Sequence, residues 1–352
     1  MTRRKRIGFA VVAVLGATLF ASGVLLAIDV YLHSKYERSA GFNIWGYRGP
    51  SVGKKRAGEY RVAFLGGSSA YGYGVTWSEA IPAQLEQHLA GAAPRGRTFR
   101  VVNLGYNNEG AYSFAFTLRD YDYLDYDLAC LYEGYNDLAG DPNGPNLAVF
   151  RHDSPVFRLT GYMPIFPIVF KEKAAAMLTG GDPGALYRSS TKTVFRPPLT
   201  TRAAAGVLRT TGEIGQSLER QLGKVASEPE RQIGPVDATG CKYPWGQYCR
   251  SIAVAIELTL SRGRQVLFIT QPYASVGEGV RMRHVEQQRE AAAMVARRFG
   301  GNGRVAYVNL GEAIDLDDRG LSFDQMHLTA AGNARVAERL IDPVGRLAAL
   351  PD

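Results

Sequence analysis

Two residues near the end of the chain, Asp324 and His327, have the types and the spacing of an acid–base pair. They are three residues apart in the segment Asp-Gln-Met-His, which precedes a helix-like segment. On a turn, this spacing lets the carboxylate reach the histidine Nδ1 and leaves Nε2 free to accept a proton from a serine. Ser68 is the candidate serine, because a Gly-Gly turn after an apolar, strand-like run would lift its hydroxyl above the edge of a sheet. These three residues could therefore carry out nucleophilic attack on a carbonyl group.

Two further residues could stabilise the negative charge that such an attack creates on the carbonyl oxygen. Gly110 ends the segment Asn-Leu-Gly-Tyr-Asn-Asn-Glu-Gly, and Asn136 lies in Gly-Tyr-Asn-Asp. The backbone N–H of Gly110, the side-chain amide of Asn136 and the backbone N–H of Ser68 can each donate a hydrogen bond to an oxyanion. The sequence therefore predicts an oxyanion hole made by these three residues, and the chemistry requires no metal or organic cofactor.

In this order, the four segments resemble the sequence blocks of the SGNH (GDSL-type) hydrolase family. Ser68 matches the family nucleophile, and Gly110 and Asn136 match the glycine of the second block and the asparagine of the third. Asp324 and His327 match the final Asp-x-x-His. The resemblance, to a membrane-anchored bacterial-type member, implies a serine ester hydrolase with a flavodoxin-like, three-layer α/β sandwich around a central parallel sheet.

The resemblance spans roughly residues 60–345 and is interrupted by an unmatched insertion at about 139–245. One position departs from the family pattern, because its Gly-Asp-Ser is Gly66-Gly67-Ser68 in this chain. The departure leaves the triad unchanged, but the hydrogen bonds of an aspartate at position 67 are lost. We therefore expect the departure to affect the substrate class and the rate.

Neighbouring residues allow other assignments of the site. Ser69 follows Ser68 but would lie at a helix N-cap or in the first helical turn. The glycine-rich segment lacks the Lys-Ser/Thr ending of a P-loop and the glycine spacing of a dinucleotide site. Asp137 is expected to hold the turn that carries Asn136. Other aspartates and histidines are less well placed for the triad: Asp315, Asp317, Asp318, His33, His88, His152 and His284.

Strand-like and helix-like segments alternate through the rest of the chain. Strands are predicted at Val62–Leu65, Arg100–Leu104, Asp127–Tyr132, Gln265–Thr270 and Val305–Leu310. Helices are predicted at Ser78–Leu89, Phe114–Tyr121, Arg283–Phe299 and Thr329–Leu340. This alternation predicts a parallel sheet with helices on both faces. Ligands of such sheets bind beyond the carboxyl ends of the strands, where Ser68, Gly110 and Asn136 fall.

The first 30 residues predict a membrane anchor. Arg3–Arg6 is a basic cluster, and Ile7–Ile28 contains no charged residue. At about 1.5 Å per residue this run would extend roughly 33 Å, which is enough to cross a bilayer core of about 30 Å. A cleaved signal peptide is the alternative. The basic cluster predicts that an uncleaved chain crosses the inner membrane once, with a stalk at 31–59 and the rest outside the cytoplasm.

The insertion interrupts the strand–helix alternation. Its apolar segment at 155–175 is broken by prolines, so a cap on the core, a lipid-facing flap and a second membrane span all remain open. The net charge is +8, and part of the excess of basic residues falls at 151–235. No nucleic-acid-binding motif accompanies these basic residues. An anionic membrane surface is therefore the more plausible partner, and no nucleic acid is expected.

Three cysteines suit a chain outside the cytoplasm. Cys241 and Cys249 flank a short loop that could close through a disulfide. Cys130 lies in a predicted central strand, where cysteine behaves as a small apolar residue. A zinc site is not predicted, because no histidine or second cysteine pair lies near the loop.

The residues favour an esterase that acts on acyl esters of an envelope lipid or glycan. An O-acyltransferase with the same triad is the first alternative, because the family that the chain resembles includes both activities. A non-catalytic binding or assembly factor is the second, and the complete triad argues against it. The acyl chain, the alcohol portion and the oligomeric state are not indicated by the sequence.

Overall fold

The computed structural model describes residues 2–36, 42–92, 97–138, 146–167, 169 and 239–349. Two compact units are present, one formed by Met1–Lys35 and Pro164–Gln232, the other by Tyr36–Met163 and Ile233–Asp352. Most of the predicted insertion, and most of the basic stretch at 151–235, lie outside the described residues.

The second unit is built on a sheet of five parallel strands. They are β1 (Glu59–Gly66), β2 (Thr98–Asn103), β3 (Leu128–Tyr132), β4 (Gln265–Ile269) and β5 (Val305–Val308). The strand order is β2-β1-β3-β4-β5, and every neighbouring pair is parallel. This is the flavodoxin-like order, and it confirms the predicted central parallel sheet. β1 and β3 are almost wholly buried, as expected of strands that are covered on both faces.

Helices cover both faces of this sheet. The described helices of the second unit are α2 (Ser68–Tyr71), α3 (Ile81–Ala92), α4 (Phe114–Asp120), α5 (Pro155–Thr160), α6 (Gly246–Ser261), α7 (Glu278–Phe299) and α8 (Ala330–Ala348). On one face α3 and α8 pack together, and their Leu85, Val336 and Leu340 join the core under Phe64. On the other face α6 packs against α4, α7 and β4. The three-layer sandwich is therefore confirmed.

Two helices differ from the sequence-based expectations. Helix α6 was not predicted from the sequence. It begins directly after the unmatched insertion, and its apolar pattern was not distinguished from that of the insertion. Helix α8 continues beyond Leu340 and contains Pro343. It continues because Val344, Leu347 and Ala348 are buried on the face that packs into the core, which offsets the backbone hydrogen bond that proline cannot make.

The first unit contains one long helix, α1 (Arg3–Tyr36). Among the residues that the structure describes, it is the single helix long and apolar enough to cross a membrane. It runs past Ile28 into the first residues of the predicted stalk. Within this unit Asp29 pairs with His33, at 3.4 Å between Oδ2 and Nε2, and accepts the backbone N–H of Ile165 at 2.9 Å.

Strand register brings the predicted site segments to one edge of the sheet. Gly66 at the end of β1 lies opposite Tyr132 at the end of β3, and Phe64 lies opposite Asn103 at the end of β2. The chain continues from these ends into the three segments that carry Ser68, Gly110 and Asn136.

Candidate active site

Ser68 is the first residue of α2, directly after β1, and its side chain lies at the sheet edge with 8% exposure. The turn requires glycine at both preceding positions. A Cβ on Gly66 would lie 2.1 Å from the carbonyl oxygen of Tyr132, and a Cβ on Gly67 would lie 2.0 Å from Nδ2 of Asn136. The absence of side chains therefore allows the turn to press against β3 and the segment that follows it.

The structure brings Ser68, His327 and Asp324 into one hydrogen-bonded chain. Ser68 Oγ lies 2.8 Å from His327 Nε2, and His327 Nδ1 lies 2.6 Å from Asp324 Oδ2. The other carboxylate oxygen of Asp324 accepts the backbone N–H groups of Met326 at 3.1 Å and His327 at 2.6 Å. Gln325 adopts a left-handed conformation, with φ of 66°, which closes this turn. The arrangement is that of a serine, a general base and an orienting carboxylate.

Asp324 is held in its ionised form. Burial alone would raise the pKa of this carboxyl group, but hydrogen bonds from the His327 side chain and the His327 and Met326 backbone lower it. The net result is a pKa below the ordinary value. An ionised Asp324 keeps the proton of the neutral imidazole on Nδ1, and Nε2 is then an acceptor for the Ser68 hydroxyl.

Two exposed aromatic side chains enclose the His327 imidazole. The Tyr73 ring centroid lies 4.9 Å from that of His327, and the Phe323 ring stacks on it at 5.8 Å with 13° between the planes. Tyr73 is 47% exposed and Phe323 is 38% exposed, so both rings also face solvent at the site. Neither residue was predicted from the sequence, although each lies within five positions of a predicted triad member.

The segment that carries Gly110 lies against the segment that carries Asn136. Asn136 Nδ2 donates to the carbonyl oxygen of Glu109 at 2.9 Å. Asp137 Oδ2 accepts the backbone N–H of Ala111 at 2.9 Å, and a Cβ on Gly110 would lie 2.6 Å from Asp137 Oδ1. Asp137 therefore contacts the Gly110 segment directly, beyond the turn that it was predicted to hold.

A buried ion pair between Arg151 and Glu109 holds the segment that carries Gly110. Arg151 Nη2 lies 3.4 Å from Glu109 Oε2, and both side chains are almost fully buried. Arg151 also donates to the carbonyl oxygens of Leu104 at 2.6 Å and Gly46 at 3.3 Å. Burial raises the pKa of Glu109, and the charge of Arg151 opposes that rise.

The described start of the predicted insertion packs within the second unit. Arg151 reaches the Gly110 segment, and the buried Phe157 ring of α5 lies 5.6 Å from Tyr121. Met163 donates its backbone N–H to the carbonyl oxygen of Ile44 at 2.8 Å. Residues 146–163 therefore pack within the second unit, and the cap, the lipid-facing flap and the second membrane span stay predictions for the insertion.

A second buried acid, Glu133, lies beside the candidate oxyanion donors and was not identified from the sequence. It is 1% exposed and accepts backbone N–H groups from Gly67, Gly134 and Asn136. Burial raises its pKa to about 7, although these hydrogen bonds oppose the rise. Desolvation and the charge of Glu133 raise the pKa of Asp137 well above its ordinary value.

The remaining candidate residues lie apart from the triad. Cys241 and Cys249 form a disulfide, with 6.5 Å between their Cα atoms. Cys130 is a buried free thiol in β3, and burial raises its pKa. His284 is buried in α7, and burial lowers its pKa to about 3. Within the described ranges, no group of three or more histidine, cysteine, aspartate or glutamate side chains could hold a metal ion.

No protein-family model matches the chain, and no curated protein matches it. Similar solved structures include a lipase/acylhydrolase from Enterococcus faecalis, with 12% identity, a TM-score of 0.44 and coverage of 83% of this chain and 100% of that one. A family 3 carbohydrate esterase from Clostridium thermocellum has 12% identity, a TM-score of 0.43 and coverage of 82% and 99%. An acetyl xylan esterase from Geobacillus stearothermophilus has 12% identity, a TM-score of 0.42 and coverage of 81% and 94%.

Proposed function

We propose that this chain is a serine esterase that hydrolyses acyl esters with Ser68, His327 and Asp324 as its triad. The observation that carries the proposal is the hydrogen-bonded chain from Ser68 Oγ through both ring nitrogens of His327 to Asp324. Such a chain moves a proton from the serine to the imidazole while the carboxylate holds the ring in one tautomer and orientation.

In the proposed first step, Ser68 Oγ bonds to the ester carbonyl carbon and its proton passes to His327 Nε2. The carbonyl oxygen becomes an oxyanion that accepts hydrogen bonds from the backbone N–H groups of Ser68 and Gly110 and the side-chain amide of Asn136. The C–O bond to the alcohol then breaks, and His327 gives its proton to the departing oxygen. Water, deprotonated by His327, attacks the acyl carbon; the bond from that carbon to Ser68 Oγ then breaks, His327 returns the proton to Ser68 Oγ, and the carboxylic acid is released.

The proposed substrate is an acyl ester on an envelope lipid or glycan. The exposed faces of Tyr73 and Phe323 beside His327 support this class, because aromatic rings bind both acyl chains and the apolar faces of sugar rings. Helix α1 is proposed to anchor the chain in the cell membrane, with the catalytic unit on the outer side. The basic cluster Arg3–Arg6 and the disulfide support this orientation.

The experiment is an activity screen of the full-length, detergent-solubilised chain on p-nitrophenyl esters of increasing acyl length. The variants are Ser68→Ala, His327→Ala and, as the matched control, Ser69→Ala, which removes the same atom one residue away. We expect the wild type and Ser69→Ala to turn over, and Ser68→Ala to lose activity by about 10³-fold or more. A fluorophosphonate probe should label the wild type and not Ser68→Ala. Wild-type activity in Ser68→Ala would overturn the proposal.

A second arm of this experiment separates hydrolysis from acyl transfer. The acyl donor is incubated with and without a polysaccharide acceptor, and the products are quantified as free acid and acylated glycan. Hydrolysis predicts free acid in both incubations. Acylated glycan as the main product would assign the same triad to an O-acyltransferase.

A further inference from the structure

The carboxylate of Glu133 hydrogen-bonds to the backbone of the two segments that carry Ser68 and Asn136, two of the three candidate oxyanion residues. Its Oε1 accepts the backbone N–H groups of Gly134 at 2.8 Å and Asn136 at 3.1 Å, and its Oε2 accepts the backbone N–H of Gly67. Gly67 directly precedes Ser68, so one carboxylate holds the backbone on both sides of the site. Carboxylates that accept backbone N–H groups make strong, charge-assisted hydrogen bonds.

Sheet register explains why these groups meet. Gly66 and Tyr132 are paired at the ends of the parallel strands β1 and β3. Gly67 and Glu133 directly follow the ends of these two strands, and they therefore leave the sheet side by side. The contact is fixed by the two strands rather than by a flexible loop.

The same geometry gives a reason for the glycine at position 67. A Cβ on Gly67 would lie 2.4 Å from Glu133 Oε2 and 2.9 Å from the carbonyl oxygen of Glu109, besides its clash with Asn136. The space in which the aspartate of the resembled Gly-Asp-Ser motif would begin is thus occupied by the Glu133 carboxylate and the Asn136 amide. Glu133 supplies a carboxylate at the point where the sequence had indicated that one was lost.

We propose that Glu133 is a positioning residue, which holds the Ser68 turn and the Asn136 segment so that their N–H groups converge on one oxyanion. The role rests on the proposed esterase function and involves no contact with the substrate. Displacement of catalytic groups by about 1 Å can cost roughly 10²-fold in rate. Loss of the carboxylate should therefore lower kcat while the substrate is still bound.

The groups that face Glu133 make its role dependent on pH. They are Tyr132, Tyr135, Asp137 and Tyr248. Because none of these four side chains is a cation, the ionised form of Glu133 is stabilised by the backbone N–H groups that it accepts. Protonation turns one carboxylate oxygen into an O–H donor. A donor at this position faces backbone N–H groups that are also donors, so a hydrogen bond from one of these groups is weakened. The positioning effect is therefore expected to be strongest when Glu133 is ionised.

The test compares Glu133→Gln with Glu86→Gln in the full-length chain. Glu86 is the matched control, because its Oε2 also accepts a backbone N–H, from Val101 at 2.7 Å, on α3 away from the triad. We expect Glu133→Gln to lower kcat by roughly 10–100-fold with KM within about twofold, and Glu86→Gln to keep both. The ratio of wild-type to Glu133→Gln kcat should be largest above pH 7 and should approach one at lower pH.

Glu133→Asp is the second variant, because it keeps the charge and shortens the side chain by one methylene. It should also lose kcat with KM unchanged. Wild-type kcat in either folded variant, or a loss through KM alone, would overturn the positioning role. Failure of both variants to fold, with Glu86→Gln folded, would assign Glu133 to stability and also overturn it. An inactive wild type, by contrast, would remove the esterase proposal itself.

Discussion

Ser68 and His327 are separated by 259 residues in the chain, yet Ser68 Oγ lies 2.8 Å from His327 Nε2. The contact joins the N-terminal end of the short helix after β1 to the turn before α8. His327 does not depend on Asp324 alone for its orientation, because the rings of Tyr73 and Phe323 enclose the imidazole. Three separate contacts thus hold the His327 imidazole beside Ser68.

The two residues should act as one unit. His327→Ala is expected to cost about as much activity as Ser68→Ala, and the double variant little more, because each change alone already removes the proton transfer from serine. The measurement is kcat/KM of the three variants on one p-nitrophenyl ester. Multiplicative losses in the double variant would show that the residues act in different steps.

Asn136→Ala should act mainly on the transition state. Removing one oxyanion donor costs about 10²–10³-fold in kcat, and we expect a much smaller change in KM. The side chain also donates to the Glu109 carbonyl, so thermal unfolding should be measured in parallel. A loss confined to KM would identify Asn136 as a substrate-binding residue instead.

Phe323→Ala and Tyr73→Ala test the aromatic contacts on His327. Each variant removes one aromatic contact with the His327 ring and one exposed apolar surface. We expect kcat to fall several-fold for all esters and KM to rise more for long acyl chains than for acetate. Tyr123→Ala is the control, because Tyr123 is 58% exposed and contacts Tyr121 rather than the triad. If Tyr123→Ala changed kcat and KM as much as the other two variants, a specific role of Tyr73 and Phe323 would be contradicted.

The strand ends and the D-x-x-H turn could be predicted because they depend on local sequence. The apolar run before Gly66-Gly67 and the spacing of Asp324 and His327 each specify their own geometry. Glu133 could not be predicted in the same way. Its role depends on the register of β1 and β3, which juxtaposes residues that are 66 positions apart. The continuation of helix α8 beyond Pro343 also depends on tertiary structure, because burial in the core outweighs the local preference of proline.

The pKa of Glu133 predicts a specific dependence of stability on pH. The folded state raises this pKa from its ordinary value of 4.5 to about 7, so the folded protein binds the proton more tightly than the unfolded chain. The resulting stabilisation is fully present below about pH 4.5 and is lost as the pH rises to about 7. Urea unfolding of wild type and Glu133→Gln across this range should show a difference in unfolding free energy that declines with rising pH. A constant difference would contradict the raised pKa.

The cysteines test the location of the catalytic unit. If α1 is an uncleaved anchor with Arg3–Arg6 in the cytoplasm, Cys241 and Cys249 lie in an oxidising compartment and should remain bridged in freshly isolated protein. Closing this short loop should contribute about 2–3 kcal/mol of stability by the chain-entropy model. Cys130 should not react in the folded protein, because burial raises its thiol pKa.

Thiol labelling of the isolated protein decides these statements together. We expect no label in the folded state, one label after denaturation, and three after denaturation with reduction. Three labels on denaturation without reductant would contradict the disulfide and weaken the assignment outside the cytoplasm. N-terminal sequencing of the membrane fraction then separates anchor from signal peptide, because the anchor predicts that the original N-terminus is kept. Loss of the first thirty or so residues would overturn the anchor while leaving the triad proposal untouched.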